Sequence, residues 1–159
     1  MPIEPQLTTY YKRARFTTRL PLSYRYDQSH YWLVEESAGI WKIGLTRFAT
    51  RMLGDLVDYR LTCQPGDTVA VGQTIGSIEG FKAISDIYCV AAGTLIDRNV
   101  DLDKDPSLLD RDPYDRGWLY RLQGQPSERI TDVTGYMAIL DALIDRILAQ
   151  SEQQRGQSC

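Results

Sequence analysis

One lysine stands out in this 159-residue chain, in the stretch Ile78-Glu79-Gly80-Phe81-Lys82-Ala83-Ile84-Ser85-Asp86. A lysine amine on a long stem is both a nucleophile and an attachment point, which an arginine guanidinium is not. The chain has four lysines (Lys12, Lys42, Lys82, Lys104) against fourteen arginines, so basic surface duty falls mostly to arginine and Lys82 is the more notable. Glu79 and Asp86 could flank whatever Lys82 carries; on a hairpin they are equally ordinary surface polarity. Cys63 and Cys89 could exchange with a disulfide on such an arm, because a thiolate attacks a disulfide. On strands, cysteines more often serve as small buried hydrophobes. The only histidine is His30, and the three cysteines, Cys63, Cys89 and Cys159, form no C-x-x-C pair. No His/Cys cluster has metal-ligand spacing, so a structural zinc is not expected. An odd number of thiols fits a reducing cytoplasm. No nucleophile–base pair, phosphate loop or metal constellation is present, so the chain reads as no enzyme.

Two glycine-punctuated runs must position the lysine. Pro65-Gly66-Asp67-Thr68-Val69-Ala70-Val71-Gly72-Gln73-Thr74-Ile75-Gly76-Ser77-Ile78-Glu79 precedes it, and Tyr88-Cys89-Val90-Ala91-Ala92-Gly93-Thr94-Leu95-Ile96-Asp97 follows it. Both read as short strands, which makes the residues between them a turn that lifts Lys82 off the body. Upstream, Tyr31–Val34 and Ile40–Leu45 predict a hairpin. Thr46 is a candidate N-cap for a short helix from Arg47 to Leu53 with Phe48, Met52 and Leu53 inward, and Gly54 suits its end. Leu56–Leu61 predicts another strand. Asp101 to Asp105 reads as a loop, Pro106–Leu109 as a helical turn, Gly117–Leu122 as the last strand and Gln123–Arg129 as a linker.

The flanks differ from this centre. Residues 1–23 form a polar, Arg- and Thr-rich arm, read as solvated and lying on the body. Residues 131–150 form an amphipathic helix, with Val133, Tyr136, Met137, Leu140, Leu143, Ile144, Ile147 and Leu148 on one stripe. Ordering such a helix costs about what its burial returns, so it must pack on the barrel or on a partner. Residues 151–159 read as a disordered tail. A net charge of −3 disfavours nucleic acid as a partner, and no apolar run is long enough for a membrane span. The expected location is the cytoplasm.

P-G-D-x-V-x-x-G-Q-x-I-x-x-I-E, then a lysine, then A-x-G-x-L, resembles the lipoyl/biotinyl carrier pattern. Further markers follow in order: Ser29-His30-Tyr31-Trp32, Ile43-Gly44-Leu45-Thr46, Leu53-Gly54-Asp55, Glu79-Gly80-Phe81-Lys82-Ala83, Asp112-Pro113-Tyr114 and Gly117-Trp118. Together they resemble the H proteins of the glycine cleavage system over residues 24–122. The resemblance implies a mainly β fold, a flattened lipoyl-type barrel (a barrel-sandwich hybrid) with short helices and a C-terminal amphipathic helix. It implies lipoate on Lys82, with Glu79 and Asp86 as the matching acidic markers. Biotin carriers flank their lysine with methionines, and Phe81 and Ala83 stand here instead. The function implied is a non-catalytic carrier whose lipoyl-Lys82 arm shuttles a covalently bound intermediate. Partners would be a lipoate ligase or lipoyl-assembly enzymes and dihydrolipoamide dehydrogenase.

Two departures bear on the cargo. H proteins usually read E-S-V-K at the lysine and carry a carboxylate where Tyr31 stands; a phenol there removes a charge that could hold an amine. On that ground the pattern is similar to the H-like lipoate-binding proteins of sulfur oxidation. The partner would then be a heterodisulfide-reductase-like complex and the cargo a sulfur intermediate. The alternative is an H protein proper, carrying an aminomethyl group between glycine decarboxylase and aminomethyltransferase. A third reading is a lipoate storage module.

Overall fold

A computed structural model of the chain describes residues 3–157. A six-stranded sheet runs in the order β3 (Arg25–Asp27), β4 (Tyr31–Ser37), β5 (Ile40–Leu45), β11 (Trp118–Pro126), β10 (Ala91–Arg98), β7 (Thr68–Val69). A three-stranded sheet runs β6 (Leu56–Leu61), β8 (Thr74–Gly80), β9 (Ile84–Tyr88). All pairings are antiparallel. Both sheets feed one apolar core, with Leu33, Ile43, Leu95 and Leu122 from the first and Tyr59, Ile75, Ile78 and Ile87 from the second. In β8 a register shift between Thr74 and Gly76 lets Ile75 and Ile78, three residues apart, share that core. The fold is the expected mainly β architecture with short helices and a C-terminal helix.

Several elements form where the sequence places them. The Tyr31 and Ile40 strands pair as a hairpin, and α1 spans Arg47–Leu53. Thr46 does not cap α1 with its side chain; its hydroxyl lies 2.7 Å from the Tyr136 hydroxyl. The first N–H of the helix, at Arg47, is instead satisfied by Tyr114 Oη at 3.0 Å. Met52 is also not inward: it is 53 % exposed, whereas Phe48 and Leu53 are buried. Asp101–Lys104, read as loop, is a short helix α2, and the next turn, α3, is Leu108–Arg111 rather than Pro106–Leu109. Most of the supposed linker after Leu122 is strand, because β11 continues to Pro126 opposite Ala91.

The flanks differ most from expectation. Residues Thr8–Arg13 (β1) and Phe16–Pro21 (β2) form a two-stranded hairpin, not a solvated arm. The hairpin buries Tyr11 and Leu20 against a long helix α4, Val133–Gln157. Tyr11 Oη donates to Asp141 at 2.7 Å, and Arg13 pairs with Asp145 at 2.6 Å. Residues 151–157, read as a disordered tail, extend α4, since Ser, Glu, Gln and Arg hold a helix already nucleated by packing; positions 158 and 159 lie outside the described residues. The hairpin, β3, β4, α1 and α4 enclose a second apolar cluster with Tyr26, Trp32, Phe48, Tyr136 and Leu140 at its centre. Tyr26 and Tyr136 stack there, with ring centroids 4.8 Å apart. Of the stripe expected on α4, Val133, Tyr136, Leu140 and Ile144 are buried, whereas Ile147 and Leu148 are 38 % and 42 % exposed.

Candidate lipoyl site

Strands β8 and β9 pair in a register that sets Glu79 opposite Ile84 and leaves Phe81 and Lys82 at the tip. Neither residue takes a positive φ. The tip is fixed from outside the hairpin, by the junction between α1 and β6. Lys82 N–H donates to Leu53 O at 2.9 Å, and Phe81 N–H donates to Asp55 O at 2.9 Å. This close approach has two requirements. Gly54 ends α1 with φ +79°, and a Cβ there would meet Lys82 Cγ at 2.9 Å. Gly80 brings the hairpin so near that a Cβ would sit 2.1 Å from Leu53 O. The serine usual at this position in the resembling proteins would force that carbonyl to move. The result is an exposed lysine on a backbone held at both neighbouring amides. Among the described residues, Lys82 makes no ion pair that would occupy its amine.

Beside the tip lies a cleft of about 300 Å³. Leu45, Phe48, Ala49, Met52, Leu53 and Ile78 make its apolar wall, and Ser29, His30, Ser85, Asp86 and Tyr88 its more polar parts. Asp86 is therefore at the cleft. Glu79 is not among its lining residues; it is exposed and sits opposite Asp58 of the neighbouring strand. Tyr31 lines the cleft but turns its hydroxyl inward, where it accepts the Tyr88 N–H at 2.9 Å. Burial pushes that phenol up to about 12. His30 adopts φ +74°, and burial lowers its pKa to about 4, so the ring is neutral. Its Nδ1 lies 2.8 Å from the Tyr136 hydroxyl, which also meets Thr46. This chain of hydroxyls fastens α4 to the wall of the cleft. The Leu53–Asp55 cradle and the Tyr136 link were not assigned to the site from the sequence. Leu53-Gly54-Asp55 was visible as a marker, but only the folded chain sets it against the tip.

Cys89 is buried, its thiol donates to Ala91 O at 3.0 Å, and burial pushes its pKa up. Cys63 is half-buried against the core. Both pack as small hydrophobes. Among the described residues no group of three His, Cys, Asp or Glu side chains is arranged to hold a metal ion. Nor is any helix among them long and apolar enough to cross a membrane.

An exposed lysine on a tip held through its own amide, with no described residue paired to its amine and an apolar cleft alongside, has the anatomy of a swinging-arm carrier domain. The model of the glycine cleavage H-protein family matches residues 24–141, well over half of the chain. The chain belongs to that family, whose members are non-catalytic carriers with lipoate held covalently on a lysine. It is 35 % identical over 127 residues to the glycine cleavage system H protein of Pectobacterium carotovorum, covering 78 % of this chain and 97 % of the relative. It is 41 % identical over 104 residues to that of Listeria monocytogenes serotype 4b, covering 65 % and 82 %. The crystal structure of a glycine cleavage system H protein from Mycobacterium marinum superposes with a TM-score of 0.69 at 30 % identity, covering 75 % of this chain and 97 % of that one.

Proposed function

We propose that Lys82 is the lipoylated lysine and that the chain serves as the H protein of a glycine cleavage system. Its partners would be glycine decarboxylase, aminomethyltransferase and dihydrolipoamide dehydrogenase. The observation that carries this reading is the tip itself. Lys82 is exposed and joined to the α1–β6 junction through its own amide, next to an apolar cleft, in a chain of this family. A rigid base suits a long arm, because the arm's freedom is then confined to its own bonds while its anchor stays in place. When bound, a lipoyl group supplies a disulfide–dithiol couple that takes up and releases an aminomethyl group. This chain's residues position that chemistry. The cleft wall from Leu45 to Ile78 offers the arm an apolar surface, and Asp86 is the carboxylate at its edge. His30 is kept neutral and places no positive charge beside an incoming amine.

The sulfur-oxidation reading rested on Tyr31, Gly80 and Phe81, and no comparison supports it. Tyr31 has a structural task in holding the Tyr88 amide, and Gly80 makes room for the Leu53 carbonyl. Phe81 is 82 % exposed at the tip, and nothing in the structure explains it.

Intact mass after incubation with a lipoate ligase, lipoate and ATP tests the site. A single lipoyl adduct is expected on the wild type and none on Lys82→Arg, which keeps the charge at an exposed position and hence the fold. An adduct retained by Lys82→Arg would reject Lys82. Glycine-dependent reduction of the loaded protein with the three partner enzymes tests the pathway. Loading without turnover would favour storage or another cargo.

A further inference from the structure

The family match ends at residue 141 and begins at residue 24, so the β1–β2 hairpin and the last four turns or so of α4 are additions to it. The two additions pack on each other, and between them and α1 runs a groove of about 280 Å³. Its floor is made of two helical ridges. Phe48 and Met52 stand one turn apart on α1, and Ile144, Ile147 and Leu148 stand one turn apart on α4. Phe16 of the hairpin closes one side, edge-on to Phe48 with ring centroids 5.4 Å apart. Met52, Ile147 and Leu148 are left half-exposed, a patch that water wets at a cost.

The rim is one-signed. Arg13, Arg15 and Arg51 line the groove and no carboxylate does. Arg13 is held by Asp145, whereas Arg15 has no acidic partner among the described residues and Arg51 lies over the Phe16 ring at 5.8 Å. Asp141 and Asp145 of α4 are turned to Tyr11 and Arg13. The groove also adjoins the carrier site on two sides. It shares Phe48 and Met52 with the cleft, and Arg51 with the cavity on the other flank of Lys82.

We propose that this groove docks an amphipathic, acidic helix of a partner protein that works on the Lys82 arm. Apolar side chains one turn apart on two helices that line the same groove match the i, i+3, i+4 spacing of a third helix rather than the alternate spacing of an extended strand. Unneutralised arginines around an apolar floor select carboxylates on that helix. Because the groove touches the cleft, a partner anchored there holds its own active site over the tip. The partner's task rests on the carrier reading; its binding does not.

The test uses the full chain and two synthetic amphipathic helices with the same leucine face, one flanked by glutamates and one by lysines. The acidic helix is expected to shift the amide resonances of Phe16, Arg51, Ile147 and Leu148, and the lysine-flanked helix to leave them in place. Arg15→Glu, at an exposed position that leaves the fold intact, should weaken the acidic helix several-fold, and Arg15→Glu with Arg51→Glu about tenfold. Leu148→Glu should weaken it comparably. Equal binding of both helices, no binding of either, or sedimentation showing the groove covered by a second copy of the chain would each overturn the proposal. None of these outcomes depends on lipoylation, so they are separable from the intact-mass result at Lys82.

Discussion

His30 combines three unusual features: a positive φ, a half-buried ring and a neutral charge state. Its folded pKa of about 4 lies below the ordinary 6.5. On acidification the unfolded chain therefore binds a proton before the folded one does. The stability that the neutral ring contributes is complete above pH 6.5 and is lost as pH falls toward 4. We expect the unfolding free energy to drop by roughly 2–4 kcal/mol across that window. In His30→Asn, chosen because asparagine tolerates positive φ, most of that dependence should vanish. Denaturant titrations at pH 7, 5.5 and 4 check it; an equal slope in both proteins would refute the neutral ring. At this scale the sequence was legible for the position of Lys82 at an exposed hairpin tip, which the strands on both sides mark. It was misleading for Tyr31. A phenol in place of a carboxylate reads as a lost charge at the cleft, and only the folded chain shows the hydroxyl turned away to bond the Tyr88 amide.

Elements with a strong period were readable, and those with a weak one were not. The apolar runs of β4 and β5 and the Phe48–Leu53 spacing of α1 are plain in the sequence, and all three elements form there. Strand β1 buries only Tyr11 outright, because its one covered face rests on a single helix. Its one buried side chain is Tyr11, and the rest of the strand is Thr, Tyr, Lys and Arg, a composition with no apolar period. The end of α4 was missed for a related reason: its last turns are polar, and tail-like composition is compatible with a helix already nucleated. What fastens α4 to the carrier site is the Tyr136 hydroxyl, shared by Thr46 and His30. Tyr136→Phe keeps the stack on Tyr26 but leaves the fully buried Thr46 hydroxyl without that partner. A loss of about 1–3 kcal/mol is expected. Thermal and urea unfolding measure it, and the His30 ring resonances should move while those of β8 and β9 stay. An unchanged stability would mean that α4 is held by apolar packing alone.

Over the whole molecule there are two apolar centres, one between the sheets and one under the hairpin and α4. The first lies between a six-stranded and a three-stranded sheet. The second is covered by a two-stranded sheet paired to no other strand. Such a cover is the part expected to open by itself. In native-state hydrogen exchange, amides of β1 and β2 should exchange through a sub-global opening while those of β5, β10 and β11 wait for global unfolding. Simultaneous exchange of all of them would make the molecule one cooperative unit. The barrel, not the annex, holds the cradle in which Leu53 and Asp55 carry the backbone of Lys82 and Phe81. Nothing in that cradle belongs to the stretch that bears the lysine. On the proposed function, an enzyme that modifies Lys82 would meet a shape assembled from two distant segments, so attachment would certify that the barrel has already folded.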